Sequence, residues 1–168
     1  MVERVVSDAN VLIDMDVGSL SEPMLALESM SYVVPDLLFE QELKVCHAHL
    51  LDMGLERTSL SGVAVAEVFR LAARFRRVSR MDLFALVLAA QMGSILLTGD
   101  RELRKVAKIY RVECHGTVWM VERLIEEGRI SPRRARNGYL LMRAAGSRLP
   151  WTEAERTLKE RIELEVAV

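Results

Sequence analysis

Four carboxylates punctuate this chain where an apolar run ends or a helix begins. They are Asp8 after Val5-Val6-Ser7, Glu42 in Phe39-Glu40-Gln41-Glu42-Leu43, Asp82 after Ser79-Arg80-Met81, and Asp100 after Leu97-Thr98-Gly99. In a parallel α/β sheet, ligands bind beyond the carboxyl ends of the strands, so acids placed there can share one small volume. Acids gathered that closely repel one another and are costly to keep ionised. A hard divalent cation with oxygen ligands is the usual reason to tolerate that cost.

Each acid also has a plainer role. Asp8 and Asp100 suit helix N-caps. Ser79 and Asp82 have capping-box spacing, with Asp in place of the usual Glu. Glu42 shares a helical face with Leu38, Phe39 and Cys46, where an unpartnered acid is costly to bury. Its competitor Glu40 has Asp36, Leu37, Leu43 and Lys44 as helical neighbours, a more mixed surface. Asn10 can hydrogen-bond the Asp8 carboxylate or nearby backbone. Thr98 can orient Asp100 or hold a metal-bound water, and Gly99 permits close backbone approach or a positive φ. Arg70, Arg74, Arg76, Arg77 and Arg80 form a run with no acid among them. Such a run is a solvated helix face by default, or else a surface that tracks phosphates. Arg76, Arg77 and Arg80 lie nearest Asp82 and are the candidate nucleic-acid contacts. Cys46, His47, His49, Cys114 and His115 match no zinc-site spacing. No Ser-His-Asp set is present, and neither cysteine lies in an electropositive motif that marks a nucleophile.

Strands and helices must alternate to position these acids. Arg4 to Ser7, Tyr32 to Val34, Arg57 to Leu60, Ile95 to Thr98 and Val112 to Cys114 read as short strands. Between them, helical spacing runs to Asp14, over Asp36 to Leu51, over Ser61 to Arg77, from Ser79 to a stop at Gly93, and from Asp100 to Lys108. A short helix holding Pro23 is expected as well. Gly116 precedes a helix ending near Gly128, and further helices start at Pro132 and Thr152, where Thr152 and Glu155 have capping-box spacing. This alternation predicts a three-layer α/β/α fold with a central parallel sheet. Residues 1–128 form the core, and residues 129–168 are a helical extension of the same domain.

The 168 residues fit one domain, and 51% hydrophobic content is ample for its core. A net charge of −1 excludes nucleic-acid binding by bulk electrostatics. Two cysteines are too few for a disulfide framework, which points to a reducing cytosol. The acidic N-terminus lacks a signal-peptide pattern. The apolar run from Leu83 to Leu97 is broken by Gln91 and Gly93 and is too short to span a membrane. A cytoplasmic location is expected.

Taken in order, Val-Ser-Asp8-Ala-Asn-Val-Leu-Ile, Glu42-Leu, Asp82 before an Ala/Leu-rich helix, and Leu-Leu-Thr-Gly-Asp100-Arg-Glu-Leu resemble the PIN-domain nucleases. The likeness covers residues 4 to about 126 and is nearest the prokaryotic VapC-like toxins. His115-Gly116-Thr117-Val118-Trp119 and Leu124 to Ser131 look like a subgroup with a Gly-Thr motif before a helix. The resemblance implies an endoribonuclease that hydrolyses RNA phosphodiesters with Mg²⁺ or Mn²⁺, the toxin half of a toxin–antitoxin pair. It implies Asp8, Glu42, Asp82 and Asp100 as metal-binding acids, with Asn10 and Thr98 as supporting polar residues. The spacing from Pro35 to Glu42 departs from the family pattern by one extra residue. Chemistry alongside agrees: oxygen donors favour Mg²⁺ or Mn²⁺ over zinc, and Mg²⁺ takes one or two carboxylates directly. Asp8 and Asp100 are the expected direct ligands, with Asp82 and Glu42 holding waters or a second ion. An RNA substrate, a cognate antitoxin and a homodimer are the expected partners. The alternative is a catalytically silent PIN-fold module that binds RNA or protein. A receiver-like phosphotransfer domain fits less well, because no lysine follows the late strand.

Overall fold

The computed structural model describes all 168 residues. Five parallel strands form its centre: β1 (Glu3–Ser7), β2 (Met30–Pro35), β3 (Glu56–Thr58), β4 (Ile95–Leu97) and β5 (Cys114–His115). The strand order is β3-β2-β1-β4-β5. The chain first winds outward from β1 through β2 to β3, then crosses back to add β4 on the other side of β1. The topological switch point therefore lies between β1 and β4, where an open α/β sheet leaves a crevice at its carboxyl edge.

Helices α1 (Ala9–Val17) and α2 (Ser21–Leu25) connect β1 to β2. Short helices α3 (Asp36–Leu38) and α4 (Lys44–His47) follow β2, separated by a π-helical turn over Phe39–Leu43. Helices α5 (Gly62–Arg74) and α6 (Arg80–Met92) lead to β4, and α7 (Arg101–Ile109) leads to β5. Helices α8 (Thr117–Glu126), α9 (Pro132–Ala144) and α10 (Trp151–Val166) complete the chain. Helices α5, α6 and α7 pack together, while α1, α2, α8, α9 and α10 pack with one another. The result is the expected three-layer α/β/α arrangement.

Helix α6 is buried from Met81 to Ala89 and touches β1, β2 and β4. A helix that is apolar all round belongs in a core, and this one carries Asp82 into the interior on its first turn. Gly93 ends it in the left-handed region at φ 60°, where glycine pays no Cβ penalty. The C-terminal helices share the main core through Ala135, Met142, Ala154 and Leu158. Arg161 of α10 ties back to α8 through Glu122 at 2.9 Å and Glu126 at 2.5 Å. Where α9 crosses the end of α1, a Cβ on Gly138 would lie 2.7 Å from Leu20 Cδ1 and 3.2 Å from the Gly18 carbonyl, so glycine permits the close crossing.

Several elements differ from the sequence expectation. The helix expected over Asp36 to Leu51 is interrupted by the π turn and by a 3₁₀ turn at Ala48–Leu50. The π turn over Phe39–Leu43 absorbs one residue more than an α turn does. It also turns Cys46 out to solvent, off the face shared by Leu38 and Phe39. Strand β3 begins at Glu56 and ends at Thr58, because its pairing with Val33 to Pro35 sets its limits. The Thr152–Glu155 capping box does not form. Helix α10 starts at Trp151 without a side-chain cap, and Glu155 pairs with Arg143 at 2.7 Å. Gly99 has neither a positive φ nor a close neighbour, so its backbone freedom is unused. No helix is long and apolar enough to cross a membrane.

Candidate metal centre and its surroundings

Asp8 follows the last residue of β1, and its N–H donates to the Leu97 carbonyl at the end of β4 (2.9 Å). This bond places Asp8 at the switch point. The Ser7 hydroxyl donates to the Asp8 carbonyl at 2.8 Å and fixes the peptide leaving the strand. Asp8 is also the N-cap of α1: one carboxylate oxygen accepts from Val11 N–H at 2.9 Å. The other oxygen, Oδ2, is buried and has no hydrogen-bond partner. Burial is the main force on this group and pushes its pKa up to about 7. The Val11 N–H and the nearby Thr98 hydroxyl, close to the carboxylate but not bonded to Oδ2, oppose that rise, while the charges of Asp82 and Asp14 add to it.

Asp100 stands beyond β4, next to β1 in the sheet. It caps α7, accepting from Leu103 N–H at 2.7 Å, and its own N–H donates to Thr98 Oγ1 at 3.1 Å. Thr98 thus orients Asp100, one of the roles open to it. Thr98 is buried, and its carbonyl accepts from the Arg104 guanidinium at 2.8 and 3.2 Å. Gly116 leaves room for that guanidinium, since a Cβ there would lie 3.0 Å from Arg104 Nη2.

Asp82 is nearly buried at the start of α6, where Ser79 Oγ accepts its N–H at 3.1 Å. Desolvation raises the Asp82 pKa, the Ser79 side chain lowers it, and the charge of Asp100 raises it further. Glu42 lies in the π turn. As a residue it is exposed, yet enough chain surrounds its carboxylate that desolvation, then the charge of Asp82, raises its pKa. Glu40 faces elsewhere: Lys44 at 2.7 Å and Arg57 at 2.8 Å hold it ionised. The charges link Asp8, Asp100 and Glu42 to Asp82, and Glu40 is outside this set.

Asn10 is exposed on α1, and it does not bond the Asp8 carboxylate, whose Oδ1 accepts from Val11 N–H and whose Oδ2 stays unpaired. Two residues near the site, Asp14 and Arg104, are not singled out by the sequence pattern. Asp14, one helical stretch after Asp8, accepts from the Thr117 hydroxyl at 3.0 Å and adds its charge to the Asp8 environment. An acid beside Leu12 and Met15, both buried, was the available clue.

The basic run divides. Arg70 is held by Glu67 of the preceding turn at 2.6 Å, and Tyr110 joins that pair. Arg74 lies over Phe75 at 5.0 Å and Arg80 over Phe69 at 4.9 Å. Arg76 and Arg77 are exposed on the loop before α6. Glu102, on the first turn of α7, is held ionised chiefly by Lys105 and also by Arg77, so this loop lies beside the Asp100 helix. The cysteines and histidines fall in two separate places. His47 and His49 both bond Asp16, at 2.7 and 2.8 Å, whereas His115 of edge strand β5 stacks on Trp119 at 4.1 Å.

The donors suit a hard divalent ion. Asp8 keeps one buried oxygen unpaired, and every nearby acid offers oxygen alone. No three His, Cys, Asp or Glu side chains come together as a set that could hold a metal ion by themselves. Mg²⁺ binds through one or two carboxylates and retains waters, which an open arrangement accommodates.

A family model described as DUF3368, PIN domain, matches residues 4–163. Among solved structures, PAE2754 from Pyrobaculum aerophilum is 17% identical with a TM-score of 0.52, covering 75% of this chain and 99% of its own. A PilT N-terminus domain protein, SSO1118, from Sulfolobus solfataricus is 14% identical with a TM-score of 0.49, covering 70% of this chain and 89% of its own. No curated protein matches the chain.

Proposed function

The chain belongs to the PIN-domain family, a nuclease-type fold family, and from that premise we propose that it is a Mg²⁺- or Mn²⁺-dependent endoribonuclease acting as the toxin of a toxin–antitoxin pair. The observation that carries this reading is the unpaired buried oxygen of Asp8 at the switch point, with Asp82 charge-coupled to Asp8, Glu42 and Asp100. Asp8 and Asp100, at neighbouring strand ends, would hold the ion directly, and Asp82 and Glu42 would do so through water. When bound, a divalent ion supplies charge neutralisation at the phosphate and an activated water. The chain's own residues keep the acids in place: Val11 and Leu103 N–H groups each fix one carboxylate oxygen, and Arg104 and Thr98 hold the end of β4. Exposed Arg76 and Arg77 receive flanking phosphates of the RNA.

The test combines cleavage with stability. Wild-type protein cuts single-stranded RNA in Mn²⁺, and EDTA stops it. An ion that binds only the folded chain stabilises it by about 2.7 kcal/mol at a hundredfold excess over its Kd. Asp82→Asn removes a repelled charge, so its metal-free stability stays equal or rises, while its Mn²⁺ increment shrinks and cleavage stops. If metal-free stability instead falls by about 1 kcal/mol and the Mn²⁺ increment is unaltered, Asp82 is only a helix-start residue and leaves the site.

A further inference from the structure

Beside the acids, the ends of β2 and β3 stand away from α5 and the start of α6 and leave an open cleft of about 570 Å³. Its floor is apolar, with Met81 and Phe84 buried beneath it. Phe69 lies at its edge half exposed, at 50%, and the Arg80 guanidinium lies 4.9 Å from the centre of that ring. Gln41 adds an exposed amide to the wall. Lining residues of the cleft adjoin two acids of the site in the chain. Gln41 directly precedes Glu42, and Arg80 and Met81 directly precede Asp82.

We propose that this cleft is a nucleobase subsite, which takes one unpaired base of the strand whose phosphate lies at the acids. The proposal rests on the nuclease reading above. The wall chemistry selects the occupant. A flat aromatic ring joined to a guanidinium plane stacks well with the π face of a base. The Gln41 amide offers a donor and an acceptor to a base edge. The volume falls within the range of small-ligand pockets. A base buried here must be splayed from its neighbours, which selects single-stranded or looped RNA over a duplex. The cation at the rim complements the adjoining phosphate, whereas the acids beyond it accept that phosphate only with a divalent ion in place.

The experiment uses full-length protein in EDTA, where no cleavage occurs, and short RNAs carrying a fluorescent purine analogue at successive positions. One position is quenched on binding to wild-type protein. Phe69→Ala removes that quench and weakens binding on the order of tenfold, while Phe69→Tyr restores both. Phe69 is surface-exposed, so the fold survives the change, and a melt confirms this. In Mn²⁺, wild type shows a base preference at a fixed distance from its cut. Phe69→Ala raises KM and flattens that preference, and an abasic nucleotide at that position costs Phe69→Ala nothing more. Cleavage with quench and preference unchanged in Phe69→Ala overturns the subsite and leaves the nuclease standing. A Phe69-dependent quench without cleavage overturns the nuclease and leaves the subsite. A cleft that serves a protein segment leaves every labelled position unquenched, and that overturns the proposal.

Discussion

Asp8 performs two jobs with two oxygens. One caps α1, as the N-cap reading expects, and the other is stranded in the interior. Either role was legible from an acid after a strand, and their coexistence was not, because it depends on where the β4 carbonyl of Leu97 lies. The stranded oxygen has a pH signature. The folded pKa of Asp8 is about 7, above the ordinary value of 3.8. Between those values the folded chain holds a proton that the unfolded chain has lost. The Asp8 contribution to stability is therefore full below pH 3.8 and is lost as pH rises through about 7. In metal-free buffer, wild type should fall relative to Asp8→Asn across that window, at a slope of up to about 1.4 kcal/mol per pH unit. Denaturant titrations of both proteins at matched pH measure the difference. Parallel curves would place Asp8 in a wetter setting than its burial indicates. Because a ligand carboxylate must be ionised, the Mn²⁺ increment should grow from pH 6 to pH 8.

At the scale of elements, the alternation of short apolar runs with amphipathic helices was enough to place five parallel strands. The run Ile95 to Leu97 and the Ala/Leu-rich α6 were the clearest, since each is buried on every side. Less was legible in Asp36 to Leu50. Helical spacing there favoured Glu42 over Glu40, but nothing in the local pattern encodes a π turn, which tertiary contacts select. The exposure of Glu42 and Cys46 follows from that turn. The arginine run has no acid among its members, yet Glu67 outside the run takes Arg70, and Phe75 and Phe69 lie under Arg74 and Arg80. Only Arg76 and Arg77 remain exposed without such partners on the loop between α5 and α6. Replacing both with alanine should weaken RNA binding and reduce its salt slope by roughly 1.4 log units per log unit of salt, for two contacts to a single strand. Affinity measured from low to moderate salt checks this, and an unaltered slope returns the loop to ordinary solvated surface.

Across the whole molecule, α9 and α10 close over α1 and α8 and bury Met142, Ala154 and Leu158. They leave Leu140 and Leu141 exposed at 60% and 46%. Two adjacent leucines in water on a helix already anchored by its other face suit contact with a second copy. Sedimentation should show wild type as a dimer at micromolar concentration, and Leu140→Lys with Leu141→Lys as a folded monomer. A wild-type monomer would remove these residues from any self-contact. Pairings that join distant parts of the sequence were the least legible features, as with Asp14 and Thr117, which lie in different helices. The same remoteness governs when the centre can exist. Strand β1 meets β4 with Val5 opposite Ile95 and Ser7 opposite Leu97, and contacts this far apart form late because loop closure must precede them. A chain emerging from the ribosome carries Asp8, Glu42 and Asp82 well before Asp100 exists to join them. Asp8 and Asp100 stay apart until β4 inserts beside β1, so any activity that needs both cannot begin before the segment through β4 has been made and has paired.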